Sequence, residues 1–215
     1  KKIVGTGVLL VLALALQAGV KMYTLKSPDG KVKLEVTAGQ GIAYSLFYDG
    51  RLLLKPSRIA LHTDLPEADH WENIRITGTK QRHVSETVQA PFYRVKEFGI
   101  DCNELELRLN NGFSLLMRAY NDGMAYRFVA GRKGEMTVVE ERAEFNFADD
   151  FEAYIPYSTN PKDPWNMAFQ NFYTKAPLTQ YNTELPAFLP LTVDAGAVKL
   201  TLLESDLEAY PGMFV

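Results

Sequence analysis

The stretch ELELRLNNGFSLLMRAYNDGMAYRFVA, Glu104 to Ala130, decides the fold. Leu105, Leu107 and Leu109 fall on one face of an alternating run, the period of a half-buried strand. Asn110-Asn111-Gly112 then supplies a turn, since Asn and Gly accept the backbone conformations that reverse a chain. FSLLMRAY (Phe113–Tyr120) follows, Asn121-Asp122-Gly123 turns again, and MAYRFVA (Met124–Ala130) resumes the alternation. Two successive hairpins of this kind predict a meander of long antiparallel strands.

The same rhythm extends outward. Upstream, KVKLEVT (Lys31–Thr37) alternates Val32, Leu34 and Val36 with polar neighbours after the turn Pro28-Asp29-Gly30. IAYSLFY (Ile42–Tyr48) ends at Asp49-Gly50, the strongest short hairpin signal, and RLLLK continues beyond it. Downstream, MTVVE (Met136–Glu140), RAEFNF (Arg142–Phe147) and AVKLTLLE (Ala197–Glu204) read as further strands. No amphipathic helix follows the leader, and no fixed-period repeat occurs. Many strands divided by Gly, Asn and Asp turns predict an all-β protein, a large antiparallel sandwich.

The N-terminus has a different character. Lys1 and Lys2 precede the apolar run Ile3–Leu16, and Gln17-Ala18-Gly19 follows it. A basic start, a run of that length and a small residue at its end describe a secretory signal peptide. The run is shorter than the roughly 20 apolar residues of a spanning helix. The expected organisation is therefore a leader over residues 1–18, cleaved after Ala18, and one sandwich domain over 19–215. An exported protein, periplasmic or extracellular, follows from that reading.

Composition narrows the function. The 215 residues carry 23 basic and 26 acidic side chains, a net charge of −3. Such a weakly acidic surface has no electrostatic reason to seek nucleic acid or an anionic membrane. The single cysteine, Cys102, excludes an internal disulfide and a Cys-rich zinc site. As one of the most buried residue types, it is expected in the core.

The segment Ile155–Pro190 breaks the strand rhythm. It holds six of the eleven prolines together with Trp165, Phe169, Phe172, Tyr173, Tyr181 and Phe188. Proline cannot donate to a ladder, so a run of central strands is excluded. So many aromatics would be wasted in a solvated linker. The segment reads as a structured loop packed on its own domain and partly on a partner surface.

Catalytic signatures are absent: no G-x-S-x-G, phosphate loop, H-E-x-x-H or EF-hand pattern occurs. His62, His70 and His83 are scattered without metal-ligand spacing. Glu140-Glu141 and Asp149-Asp150 are adjacent pairs, which on strands point to opposite faces. Glycosidic chemistry needs two carboxyl groups about 5–10 Å apart across one cleft. No catalytic residue is assigned, and Asn121-Asp122-Gly123 is sufficiently explained as a turn.

Five motifs, in this order, carry a resemblance: SPDGKVKLEV (Ser27–Val36), YSLFYDGRLLLKPS (Tyr44–Ser57), LLMRAYNDGMAYRF (Leu115–Phe128), QNFYTKAPL (Gln170–Leu178) and LTLLESDLEAYPGMFV (Leu200–Val215). Together they resemble the N-terminal domain of glycoside hydrolase family 97. The resemblance implies a β-super-sandwich related to the galactose-mutarotase-like fold, followed by a catalytic (β/α)₈ barrel and a small C-terminal sandwich. It further implies an exported, exo-acting α-glucosidase or α-galactosidase whose catalytic carboxylates lie on the barrel, outside these residues. The partners expected are that barrel and an α-linked oligosaccharide.

The family's calcium ion lies near the active site and takes one ligand from the N-terminal domain. Glu184 is the position matched to that ligand; relatives often carry an acid where Gln170 stands, so Gln170 is the competing position. A different reading remains open, a free-standing carbohydrate-binding or mutarotase-like sandwich. A mutarotase would need a positioned His and Glu, and none of the three histidines recommends itself. A (β/α)₈ pattern or a stop codon downstream separates the two readings.

Overall fold

Alternation along each strand builds the two layers of the larger unit. The structure, a computed structural model, describes residues 21–160, 162–165, 170–207 and 210–215. The leader expected over 1–18 lies outside the described residues, as does Phe169.

Strands β1 (Lys21–Lys26), β2 (Val32–Gly39), β3 (Gly41–Tyr48) and β4 (Arg51–Thr63) come first, followed by β5 (Ile76–Gln89), β6 (Glu97–Leu109), β7 (Phe113–Tyr120), β8 (Gly123–Ala130) and β9 (Val138–Ala143). They form two antiparallel sheets, ordered β1-β2-β3-β4-β9 and β5-β6-β7-β8. On β2, Val32, Leu34, Val36 and Ala38 are buried and their neighbours half-buried; on β7, Phe113, Leu115, Met117 and Ala119 repeat the pattern. Leu107, Leu115 and Met117 are fully buried, each contributing about 1.5–3 kcal/mol relative to exposure.

Specific bonds join the layers. The side-chain amide of Asn103 donates to the Lys26 carbonyl (2.8 Å), and the Asn121 side-chain oxygen accepts from the Asp29 amide (3.0 Å). The rings of Tyr44 and Tyr126 lie 6.0 Å apart. Between β4 and β5, Trp71 is buried; its indole donates to the Leu61 carbonyl at 3.0 Å, and its ring meets Phe113 and Phe128.

The expected turns are present. Asp49 and Gly50 both take positive φ, +48° and +79°, as the two-residue loop closing β3 onto β4 requires. Asn121 and Asp122 close the β7–β8 hairpin, with Tyr120 opposite Gly123. Cys102 is fully buried, and burial pushes its thiol pKa up.

Two details differ from the sequence reading. RAEFNF is not a continuous strand: β9 ends at Ala143, and beyond it an isolated bridge joins Phe147 to Leu54 amid irregular backbone hydrogen bonds between residues 144–148 and β4. Opposite it, β4 carries Pro56, which has no amide to donate. Side chains add to the backbone bonds there. The Asn146 amide donates to the Ser57 hydroxyl, its side-chain nitrogen donates to the Pro56 carbonyl, and Glu144 accepts from the Arg58 amide. The second difference is β5, a 14-residue strand without apolar alternation, in which only Val84 is buried. It is the edge of its sheet, so no pattern of burial marks it in the sequence.

Residues 149–215 form a second compact unit. Its sheet has the order β11-β10-β12-β13, from β10 (Glu152–Ile155), β11 (Thr174–Pro177), β12 (Leu191–Asp194) and β13 (Lys199–Leu202). Among the described residues none of these strands hydrogen-bonds into the first two sheets. Ala153, Ile155, Leu191 and Val193 make its core. Within the proline-rich segment, β11 is an edge strand, and Pro177 ends it, the placement a missing amide allows.

Candidate functional site

The second unit gathers the aromatic residues onto its surface. The C-terminal residues fold back beside them: Val215 and Ala187 exchange backbone hydrogen bonds at 3.0 and 2.7 Å. Tyr181 donates its hydroxyl to the Val215 carbonyl at 2.5 Å, and burial raises its pKa to about 12. The return places Phe214 between Trp165 and Phe188, with ring centres 5.0 and 5.1 Å away. Trp165 nevertheless keeps 62% of its surface exposed, and Phe172 keeps 92%. Tyr173 and Tyr154 are also exposed. Large exposed apolar side chains on one unit are candidates for an interaction surface.

Glu184 lies at the margin of this segment, exposed on a turn. The turn is held from both sides: the Asn182 side chain accepts from the Glu184 amide at 3.0 Å, and the Asn182 amide donates to the Tyr157 hydroxyl at 2.7 Å. Gln170 is exposed as well. Calcium takes six to eight oxygen ligands. Among the described residues no group of three His, Cys, Asp or Glu side chains converges on a point that could hold a metal.

The other acids and histidines have local duties. His62 pairs with Asp69 at 2.7 Å, and His83 meets Asn103 and Asp101 at 3.0 and 3.1 Å. His70 is exposed. Asp150 accepts from the Thr179 amide and hydroxyl at 2.9 and 2.8 Å, and Asp149 accepts from the Asp150 amide. Glu140 and Glu141 are exposed on β9. Asn160 accepts from the Lys162 amide, a turn just before Asp163. The structure does not bring these groups together.

One constellation escapes the sequence reading. On the outer face of the β5–β8 sheet, Glu104 is only 4% exposed, yet it accepts from Arg82 at 2.5 Å and from Arg118 at 2.7 Å. Beside it lies a shallow depression of about 380 Å³ lined by Lys80, Glu106, Leu116 and Arg127 among others. Burial alone would raise the Glu104 pKa; the hydrogen bonds and charges of the two arginines outweigh it and hold the carboxyl below its usual value. The signal was available only through register: once the Asn110–Gly112 turn is set, Glu104 stands opposite Arg118.

A group whose folded pKa is lowered stabilises the fold above its ordinary pKa, and that contribution disappears as pH falls through the folded value. Glu104→Gln should therefore cost about 1–3 kcal/mol at pH 7, below the roughly 3–5 kcal/mol of breaking a fully buried pair because both arginines reach solvent. That corresponds to roughly 3–10 °C in melting temperature. The gap to the unsubstituted protein should narrow progressively as pH falls below the ordinary carboxylate range and through the lowered folded pKa. A gap that does not narrow at any acid pH at which the protein stays folded would show that the charge contributes nothing.

Comparison with known proteins agrees with this architecture. The family model described as Glycosyl-hydrolase 97 N-terminal matches residues 25–215. A retaining alpha-galactosidase of Bacteroides thetaiotaomicron is 41% identical over 209 residues, which cover 94% of this chain and 31% of that protein. A probable retaining alpha-galactosidase of Streptomyces bingchenggensis is 26% identical over 158 residues, covering 72% of this chain and 24% of that protein. A solved glycoside hydrolase family 97 enzyme from Pseudoalteromonas sp. strain K8, in complex with acarbose, shares the fold. Its TM-score is 0.64 at 20% identity, over 80% of this chain and 26% of that one.

The sheets and these matches define an all-β sandwich of the kind found at the N-terminus of glycoside hydrolases. The chain belongs to the glycoside hydrolase family 97 N-terminal domains. It spans less than a third of the length of the curated relatives it matches.

Proposed function

We propose that this chain is the non-catalytic N-terminal part of a longer, exported, exo-acting α-glycosidase. The observation that carries the reading is the family match over residues 25–215 combined with relatives more than three times as long. Both curated relatives are named as α-galactosidases, actual or probable, which favours α-galactosides over α-glucosides as substrate. The Trp165–Phe172–Tyr173 surface of the second unit then packs on the catalytic part and helps exclude water from the substrate pocket. Glu184 donates one carboxylate oxygen to a calcium ion completed by that part. Bound there, calcium would supply positive charge for orienting and polarising substrate oxygens. Export rests on the basic and apolar leader over residues 1–18.

The full-length gene product, expressed with its leader, is the material for the test. It should hydrolyse p-nitrophenyl α-galactoside faster than the α-glucoside, and the mature protein should begin at Gly19. No turnover of either substrate would defeat the enzymatic reading; retention of residues 1–18 in the mature protein would defeat export.

A further inference from the structure

The β5–β6 hairpin is longer than the sheet that holds it. β7 pairs with β6 only from Cys102 to Arg108, whereas β5 pairs with β6 as far out as Gln89 opposite Glu97. From Ser85 to Asp101 the two strands therefore run on as a ribbon with no third strand beside it among the described residues. An isolated two-stranded ribbon is marginal in water.

The ribbon is also two-faced. Register places Val84 opposite Cys102, Glu86 opposite Ile100 and Val88 opposite Phe98, all on one side. His83, Ser85, Thr87 and Gln89 stand on the other, opposite Asn103, Asp101, Gly99 and Glu97. At the tip Phe92 is wholly exposed, and Tyr93, Val95, Phe98 and Val88 are exposed around it. The rings of Tyr93 and Phe98 lie 5.6 Å apart, which stiffens the end of the arm. The charged residues of the loop, Arg94 and Lys96, are both basic.

We infer that this arm is a docking element that seats on the remainder of the full-length polypeptide, in an apolar recess rimmed by carboxylates. The inference rests on reading the chain as one part of a longer glycosidase. Relatives more than three times as long provide the occupant. Area argues for the same chain rather than a second copy. The exposed apolar side chains offer roughly 600 Å², below the about 800 Å² per partner of a stable complex. A tethered surface is presented at millimolar effective concentration, so this small area suffices within one chain. Docking would also complete the ribbon by covering its apolar side, and the basic tip calls for acidic neighbours.

The test uses the full-length protein with p-benzoylphenylalanine placed at position 92, a site whose side chain touches solvent and so tolerates the larger ring. Irradiation followed by peptide mapping should join position 92 to a peptide C-terminal to Val215 in the same chain. A cross-link between two copies, seen as doubled mass under denaturing conditions, would overturn the assignment of the occupant. Absence of any cross-link would overturn docking altogether.

As a second measurement, Phe92→Asp combined with Phe98→Asp should speed tryptic cleavage at Arg94 and Lys96 about tenfold or more, because an undocked loop is open to protease. Equal cleavage rates would reject the proposal. A natural polypeptide whose mass ends near Val215 would remove the underlying reading, and the arm's occupant with it. A long polypeptide with an uncrosslinked arm would remove only the docking.

Discussion

Residues 19–215 alone are expected to hydrolyse p-nitrophenyl α-galactoside and α-glucoside at no more than about one part in 10⁴ of the full-length rate. Enzymes accelerate such reactions by at least about a millionfold, and glycoside hydrolysis draws that from two carboxyl groups facing each other across a cleft. The adjacent acid pairs do not supply this. Asp150 is engaged by Thr179, Asp149 by a backbone amide, and Glu140 and Glu141 stand exposed on β9. Glu104, the one buried acid among the described residues, is paired with two arginines that hold its pKa below the usual value, which makes it a weak base. Steady-state assays at high protein concentration decide the matter. Turnover within a hundredfold of the full-length enzyme would place a complete site in this chain and reverse the proposed division of labour.

Glu184→Ala in the full-length protein should weaken calcium binding by roughly 30-fold or more, on the scale by which charge count and ligand support tune such sites. The carboxylate is exposed on a turn whose backbone Asn182 and Tyr157 hold in place, so its loss removes a ligand without disturbing the core. Isothermal titration of calcium into chelator-treated protein reads the affinity directly, independent of activity. The competing position makes the opposite forecast: if Gln170 occupies the ligand site, Glu184→Ala leaves affinity unchanged and Gln170→Glu strengthens it. Unchanged affinity in both variants would mean that this domain contributes no calcium ligand.

Much of the architecture follows from local chemistry. Val32, Leu34 and Val36 on β2 and Leu105, Leu107 and Leu109 on β6 alternate because one side of each strand faces a core, and residue order alone displays that. Asp49-Gly50 closes a hairpin because both positions need positive φ, a demand written in the two residues themselves. The proline content of Ile155–Pro190 was enough to keep it out of the centre of a sheet. The order of five motifs identified the family.

Tertiary structure decided what alternation cannot carry. β5 is an edge strand with Val84 its one buried residue, so its burial leaves no periodic trace in the sequence. Trp71 becomes buried because its ring meets Phe113 of β7 and Phe128 of β8, an outcome of long-range packing. The Arg82–Glu104–Arg118 cluster exists only once register sets residues 22 and 14 positions apart side by side. The division at Ala148 and the unpaired outer half of the β5–β6 arm likewise depend on which strands find partners. Strand pairing is a property of distant segments competing for the same backbone groups, and no short stretch of residues encodes its result.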